Sequence, residues 1–338
     1  MSAKPKVQYR RLGNSGLRVS VPIFGCMSLG ESKSMPWPVK EEEALPLLKA
    51  AYDRGVNTWD TANVYGNGAS EIIIGKTLKK YSIPREKVVI MTKCFWGISE
   101  DPETLPFLAR EKFETDPTNQ NQFGLSRAAI FNRVNATTPM EETMEALHDL
   151  IKLSKVRYIG ASSMWATQFA RLQFTAEKNG WTKFVSMQNQ YNLLYREEER
   201  EMNRFCHDTG VGLIPWSPLC RGHLARAPEE FGSTTRSARE KAVTEMKGVT
   251  TVSTGVSEVD VAIIRRVMEL AEKKEWAMAH VALAWINKRV SSPIIGLSKI
   301  ERVEQAIEAG SKVLLSEDEE KFLEELYQSK AVLVAESL

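Results

Sequence analysis

The stretch NTWDTANVY, residues 57–65, decides how this 338-residue chain is interpreted. Residues 56–59 are mostly apolar or strand-favouring, which predicts a short buried strand that ends at Asp60. Tyr65 then lies in the loop beyond the strand. The next apolar run, residues 88–92, predicts a second strand, and Lys93 follows it directly.

The residue types at these two strand ends suit proton transfer. If the strands are parallel neighbours, Asp60 and Lys93 lie side by side at one edge and the loop folds Tyr65 over them. A nearby ammonium stabilises a phenolate and lowers the pKa of tyrosine from about 10. With Asp60 holding Lys93, Tyr65 becomes a general acid for a carbonyl oxygen whose carbon accepts hydride. An ordinary structural ion pair beside a loop aromatic explains the same spacing, and spacing alone favours that reading.

The rest of the chain alternates strand and helix patterns. A hairpin is predicted at residues 7–19, and Ser70 is predicted as the N-cap of the helix after Tyr65. Repeating strand-helix units of about 30 residues indicate a parallel α/β barrel. A two-sided open sheet is the competing architecture, but no Gly-x-Gly-x-x-Gly follows the first strand. Residues 1–338 are predicted as one domain with an irregular excursion at 225–258. Further strands are predicted at 21–24, 156–161, 184–190, 212–217 and 293–297, and helices at 39–54, 70–81, 126–135, 140–152, 166–178, 196–208, 259–274, 277–289, 300–309 and 317–329.

Composition excludes several classes of partner. The net charge is +2, and acidic and basic residues are interspersed, so neither nucleic acid nor a membrane surface is an expected partner. The N-terminus lacks a signal-peptide pattern and no apolar run is long enough to span a bilayer, which predicts a cytoplasmic protein. Four cysteines without metal-ligand or framework spacing predict free thiols and no metal site.

Several segments together resemble the aldo-keto reductase signature. They are DTANVYG at residues 60–66, Ser70-Glu71, Gly75, and MTK at residues 91–93. The resemblance extends over nearly the whole chain and is greatest to the aryl-alcohol dehydrogenase and fungal carbonyl reductase branch. It implies a (β/α)8 barrel plugged by the N-terminal hairpin. It also implies reduction of aldehydes or ketones with NADPH by an Asp-Tyr-Lys-His tetrad, of which Asp60, Tyr65 and Lys93 are three members.

The fourth member of the tetrad is missing. Two helix patterns, at 126–135 and 140–152, follow one another with no apolar strand between them, so about seven barrel strands are predicted. The resemblance places a strand ending in the catalytic histidine near residues 134–140, where about 20 residues, by the size of a strand-helix unit, look deleted. Of the four histidines, His148, His207 and His280 fall on helices, and His223 follows a distant strand.

The cofactor residues are predicted from strand ends and from the resemblance. Ser162 and Gln188 would hold the carboxamide of a nicotinamide, and Trp216 would stack on its ring. Met27 lies two residues after Gly25, where the absence of a side chain lets a ligand approach the backbone. Helix N-termini bind anions, and Lys299 and Arg302 add positive charge that suits the 2′-phosphate of NADPH. Strand-end hydrogen bonding, core packing and solvated helix residues are the structural alternatives. The remaining predicted contacts, for the phosphates and the adenine, are Ser217, Leu219, Arg221, Gly296, Ser298 and Gln305, with Ala306 and Ser163 in places where the family usually has Asn.

The leading hypothesis is therefore an NADPH-dependent reductase of an aryl aldehyde or a polyketide-type carbonyl, with Tyr65 as the proton donor. The alternative is a truncated isoform that binds NADPH but turns over poorly, acts in binding or regulation, or folds unstably. A barrel that loses a strand keeps two unpaired edges or must close more tightly, and both outcomes destabilise it. Substrate identity and oligomeric state are not predicted.

Overall fold

The computed structural model describes residues 7–30, 38–99, 101, 115–119, 124–127, 130, 138–234, 237–238, 256–312 and 314–332. Its strands are short and its helices mostly span two to four turns. The strands are β1 Gln8–Arg11, β2 Arg18–Val21, β3 Ile23–Gly25, β4 Thr58–Asp60, β5 Val89–Met91, β6 Gly160–Ser162, β7 Ser186–Gln188, β8 Gly212–Leu213 and β9 Ile294–Gly296. The helices are α1 Glu41–Asp53, α2 Ala69–Lys80, α3 Met140–Lys152, α4 Ala166–Lys178, α5 Met202–Thr209, α6 Glu258–Lys274, α7 Met278–Asn287, α8 Ile300–Lys312 and α9 Glu317–Glu324.

The strands after the hairpin form a curved parallel wall. Four of them are ordered β5-β4-β3-β9 and three are ordered β6-β7-β8, with every pair parallel. The two groups meet where the Ile294 N–H donates to the Pro215 carbonyl at 2.9 Å and the Ser291 N–H donates to the Leu213 carbonyl at 2.9 Å. The fold is therefore the predicted α/β barrel type, and the open two-sided sheet is wrong.

Side-chain alternation along the strands divides the core into two layers. Phe24, Trp59 and Ile295 point outward and pack with the apolar faces of the surrounding helices. The neighbouring Ile23 and Ile294 point inward and form a separate cluster with apolar hairpin residues. The predicted plug is thus confirmed, because the hairpin supplies the apolar cover for the barrel's lower end.

The hairpin turn is fitted closely to the wall. The Asn14 N–H donates to the Gly210 carbonyl at 2.7 Å. Gly13 has φ of 55°, and a Cβ there would lie 2.2 Å from the Gly210 carbonyl oxygen. Only glycine satisfies both the left-handed conformation and the close approach.

The wall has two edge strands, β5 and β6. Within the described residues neither has a pairing partner on its outer side. All three residues of β5 are partly exposed, and Gly160 in β6 is exposed, whereas β3, β4 and β7 are fully buried. Seven parallel strands are described, a number compatible with the prediction of about seven, and most of the joint at 134–140 lies outside the described residues.

Two local predictions were wrong. Ser70 is not an N-cap, because α2 begins at Ala69 after Gly68, and the Ser70 hydroxyl instead donates to the Cys26 carbonyl at 2.9 Å. The predicted helix at 196–208 is divided into a 3-10 turn, Glu197–Glu199, and α5. Glu197 is buried and accepts hydrogen bonds from the Tyr327 hydroxyl and the Lys330 N–H, both at 2.7 Å, so distant contacts fix this turn.

Candidate active site

A buried carboxylate connects three strands at the carboxyl end of the wall. Asp60 ends β4 and is 2% exposed. Its Oδ1 accepts from the Lys93 ammonium at 2.7 Å, and its Oδ2 accepts from the Gln188 amide at 2.9 Å. Lys93 also donates to the Thr61 carbonyl at 2.9 Å. Parallel pairing of β4 with β5 places these groups side by side, as predicted.

Tyr65 lies over this ion pair. The Lys93 ammonium is 5.0 Å from the Tyr65 ring centroid. The tyrosine loop is fastened to the loop after β5, because Asn67 donates to the Ser99 carbonyl at 2.6 Å and accepts from the Ser99 N–H at 2.8 Å. Asn67 itself has φ of 53°, a left-handed conformation that asparagine tolerates. The structure thus brings the predicted triad together.

The electrostatics differ from the prediction in one respect. Burial is the largest influence on Tyr65 and raises its pKa, while Lys93 lowers it, and the net result is a pKa above the ordinary value. Burial would lower the pKa of Lys93, but Asp60 and Tyr65 outweigh it and the pKa of Lys93 is raised. At neutral pH the site therefore holds a neutral phenol beside an ammonium. Lys93 lowers the pKa of Tyr65, as predicted, but burial raises that pKa by more.

One large cavity extends from the triad through the barrel. It has a volume of about 2430 Å³, larger than the roughly 300–1,000 Å³ of a typical ligand pocket. It also reaches the edges of β5 and β6 and the hairpin. Every predicted site residue except Lys299 lines it, namely Met27, Asp60, Tyr65, Lys93, Ser162, Gln188, Trp216, Ser217, Leu219, Arg221, Gly296, Ser298, Arg302 and Gln305. Lys299 is exposed at the start of α8 and does not line the cavity.

A chain of hydrogen bonds supports the predicted nicotinamide end. The Ser162 hydroxyl donates to the Gln188 carbonyl at 2.7 Å, and the Trp216 indole donates to the Ser163 hydroxyl at 3.4 Å. The Ser163 N–H donates to Asn189 Oδ1 at 2.9 Å. Ser163 has φ of 48°, and left-handed non-glycine residues concentrate at functional sites.

The carboxyl group of Glu198 extends this series of hydrogen bonds. The Asn189 amide donates to the Glu198 carboxylate at 2.5 Å. Burial, with a smaller contribution from the neighbouring Glu197, raises the pKa of Glu198 to about 7, against the Asn189 hydrogen bond that lowers it. Asn189 and Glu198 were not predicted in these roles. The sequence contained an indication only for Asn189, which is a polar residue at the end of a predicted strand.

The part of the cavity that follows β8 and β9 has the features of an anion site. Ser217 and Arg221 have φ of 54° and 56°, and Arg221 lines the cavity. Gly296 and Ser298 precede α8, and Arg302 in its first turn donates to the Ser298 hydroxyl at 3.3 Å. Exposed backbone amides at a helix N-terminus together with a guanidinium suit phosphate groups. The residues present therefore fit a phosphorylated dinucleotide that extends from the triad to α8.

Three of the four histidines do not line the cavity. His148 on α3 accepts a hydrogen bond at Nδ1 from the Thr182 N–H, and His207 lies in the last turn of α5. His223 lies in a 3-10 turn, with its ring centroid 4.6 Å from that of Phe231. His280, predicted only as helical, lines the cavity beside α8. Sequence reasoning missed this position, because a histidine in an otherwise apolar helix gives no signal of what it faces.

The chain is similar to known oxidoreductases along most of its length. The sequence profile of the aldo/keto reductase family matches residues 23–328. An aldo-keto reductase of Fusarium vanettenii is 50% identical over 98% of this chain and 94% of its own length. Versiconal hemiacetal acetate reductase of Aspergillus parasiticus is 45% identical over 96% and 98%. A Schizosaccharomyces pombe protein, provisionally named as an aryl-alcohol dehydrogenase, is 43% identical over 97% of both chains.

The length of the first alignment indicates residues that this chain lacks. It extends over 358 residues, whereas the whole chain has 338, so at least 20 aligned positions (358 less 338) have no residue here. Among the described residues, no helix is long and apolar enough to cross a lipid bilayer.

Proposed function

This chain belongs to the aldo/keto reductase family, and on that premise we propose that it reduces an aldehyde or ketone with NADPH, using Tyr65 as the proton donor. Members of the family are oxidoreductases that act on carbonyl compounds. The observation that supports the proton donor is the buried Asp60–Lys93 pair at 2.7 Å beneath the Tyr65 ring, open to the cavity. A surface ion pair of ordinary structural type would have neither this burial nor a phenol over it.

Each member of the triad has a separate task in the proposed reaction. NADPH, when bound, supplies the hydride that the carbonyl carbon accepts. As negative charge develops on the carbonyl oxygen, the neutral Tyr65 phenol donates its proton to that oxygen. The phenolate that remains is stabilised by the Lys93 ammonium, which Asp60 and the Thr61 carbonyl hold in place.

The predicted cofactor residues have assignable roles. Ser162 and Gln188 are proposed for the carboxamide and Trp216 for the ring face. The side-chain amide nitrogen of Gln188 already donates to Asp60, so we expect the side-chain oxygen Oε1 to contact the carboxamide. Arg302 is proposed for the 2′-phosphate, which favours NADPH over NADH. Arg302→Ala should therefore raise the Kd of NADPH more than that of NADH, and equal changes would contradict this assignment.

Relatives support a substrate class. Relatives with names that describe a reaction include a versiconal hemiacetal acetate reductase and a provisionally named aryl-alcohol dehydrogenase. We therefore propose aryl aldehydes or polyketide-type carbonyls as substrates.

A second candidate function is an impaired, NADPH-binding isoform. It is favoured by the two unpaired strand edges and by the positions of the four histidines, none of which lies on a described wall strand. The alignment positions without a residue here are consistent with a deleted strand and histidine. In this proposal the cavity still binds NADPH, but poor orientation of the carbonyl slows the reaction.

Single-turnover kinetics distinguish the two functions. Protein loaded with one equivalent of NADPH is mixed with an aromatic aldehyde, and the absorbance of the reduced nicotinamide is followed. A reductase consumes the cofactor in one phase, and Tyr65→Phe slows that phase by about 10²–10⁴-fold, the usual contribution of a general acid. Tyr81→Phe, at the end of α2, is the matched control and should leave the rate unchanged. Binding without oxidation in the wild type would favour the impaired isoform.

A further inference from the structure

Glu198 is connected to the wall of the cavity through a buried asparagine. The Asn189 amide donates to the Glu198 carboxylate at 2.5 Å, and Asn189 is buried. The opposite end of that amide, Oδ1, accepts from the Ser163 N–H at 2.9 Å. The backbone carbonyl of Asn189 accepts from the Trp216 N–H at 2.9 Å. Ser163 and Trp216 both line the cavity at its predicted nicotinamide end, so Asn189 contacts two of the groups that shape this end.

The carboxylate decides which way the Asn189 amide points. An ionised carboxyl group only accepts hydrogen bonds, so it selects the NH2 end of the amide and leaves Oδ1 for Ser163. Without this acceptor the amide is free to turn over, and its NH2 group would then face the Ser163 N–H, which is also a donor. The Ser163 N–H additionally donates to the Gln188 carbonyl at 3.2 Å, so the Asn189 contact is the shorter of the two. Ser163 has φ of 48°, a conformation that persists where surrounding contacts fix it.

The turn that carries Glu198 is held from the other side. Its neighbour Glu197 is buried and accepts from the Tyr327 hydroxyl and the Lys330 N–H, both at 2.7 Å. These contacts attach the turn to the C-terminal part of the chain. The Glu198 carboxylate therefore orients Asn189 from a fixed position.

We propose that Glu198 is a positioning residue for the nicotinamide of the cofactor, acting through Asn189 on Ser163 and Trp216. This inference rests on the proposed function, because it takes the occupant of the cavity to be NADPH. The residues of this series lie at the nicotinamide end, whereas Arg302, proposed for the 2′-phosphate, lies in the first turn of α8. Loss of the carboxylate should therefore weaken the contacts to the nicotinamide and leave those to the phosphates unchanged.

The test compares two ligands and needs no turnover. The Kd values of NADPH and of 2′-phospho-ADP-ribose, in which a hydroxyl group replaces the nicotinamide, are measured by titration calorimetry. Glu198→Ala should weaken NADPH binding by about three- to tenfold, the effect of one net hydrogen bond, and leave the Kd of 2′-phospho-ADP-ribose unchanged. Glu198→Gln, which retains an acceptor for Asn189, should restore most of the NADPH affinity. Glu201→Ala, at an exposed position nearby in the chain, is the matched control and should change neither Kd.

The wild type gives a second measurement that does not depend on the folding of a variant. Protonation of Glu198 adds a donor and weakens its bond with the Asn189 amide. Burial and the charge of Glu197 raise the pKa of Glu198 to about 7, and the other titratable group that faces it, the Cys206 thiol on α5, has its pKa raised to about 12. The preference for NADPH over 2′-phospho-ADP-ribose should thus fall by about two- to fivefold from about pH 8 to about pH 6. The 2′-phosphate and the pyrophosphate are common to both ligands, so their titration cancels in this ratio.

The outcomes separate this inference from the proposed function. Equal weakening of both ligands by Glu198→Ala, or weakening of neither, would overturn the positioning role and leave the reductase proposal intact. Should Glu198→Ala not fold, a wild-type preference that is the same at both pH values would overturn it. Failure of the wild type to bind either ligand would overturn both proposals.

Discussion

The barrel wall differs between its two sides. On one side β7, β8, β9 and β3 are joined without interruption, and the residues that end or follow these strands and face the cavity include Gln188, Trp216 and Gly296. On the other side β5 and β6 are edges, and the residues of β5 are partly exposed. Most of the proposed cofactor residues thus follow the continuous side, whereas Lys93 follows an edge strand. Lys93 thus follows a strand that is paired on one side only among the described residues, and Asp60 and the Thr61 carbonyl hold its ammonium.

The most direct way to abolish this difference is to close the wall. We expect that inserting, at residues 134–140, the segment of the Fusarium vanettenii relative that has no counterpart here will slow amide hydrogen exchange in β5 and β6 by about tenfold or more, because edge amides would gain strand partners. Turnover of an aromatic aldehyde should rise by about 10²-fold as the carbonyl becomes better oriented.

The control for this insertion is a glycine- and serine-rich segment of the same length, which should change neither exchange nor turnover. If the relative's segment also changes neither, the edges are not the sites of the missing strand, and the deletion proposal fails.

Breaking the ion pair tests how much the edge strand depends on Asp60. Asp60→Asn leaves the mostly buried Lys93 ammonium without its counter-charge, and we expect the free energy of unfolding to fall by about 3 kcal/mol. Asp53→Asn is the matched control, because Asp53 pairs with Lys49 at 2.6 Å on the surface and such pairs contribute about 0–1 kcal/mol. Denaturant unfolding of both variants gives the comparison, and equal losses would mean that Asp60 does not anchor the edge.

The continuous side contains a pH-sensitive group, Glu198. Its pKa of about 7 in the folded protein exceeds the ordinary 4.5, so between these values the folded state holds a proton that the unfolded state has released. The free energy of unfolding must therefore decrease as pH rises from about 4.5 to about 7. Glu198→Gln should remove this slope, while the exposed Glu201→Gln should keep it. Parallel pH curves for the wild type and Glu198→Gln would contradict the prediction.

Local sequence signals predicted the strands and the triad well. Apolar runs, glycines and strand-end polar residues indicated β4, β5 and the position of Tyr65, because each depends on residues close in the chain. The predictions that failed depend on distant partners. The Ser70 hydroxyl donates to the Cys26 carbonyl, and Glu197 accepts from the Tyr327 hydroxyl and the Lys330 N–H. Neither residue therefore follows its local helix preference.

The net direction of the Tyr65 pKa shift and the orientation of the charged side chains near α8 could not be predicted from the sequence either. The sequence indicated that Lys93 lowers the pKa of Tyr65, but not that burial would outweigh it. Lys299 and Arg302 both follow the last strand, yet only Arg302 lines the cavity, because the direction of a helix decides which charges face inward. His280 was overlooked for the same reason.

The two hydrogen bonds of Asp60 have a consequence for how its presence in related chains is judged. One carboxylate oxygen binds Lys93 at an edge strand and the other binds Gln188 from across the barrel interior. Losing Asp60 would therefore remove a structural link between Lys93 and Gln188 in addition to its proposed part in the reaction. Selection would retain this aspartate in a lineage that had ceased to turn over substrate, so its persistence among descendants is not evidence that they are still enzymes.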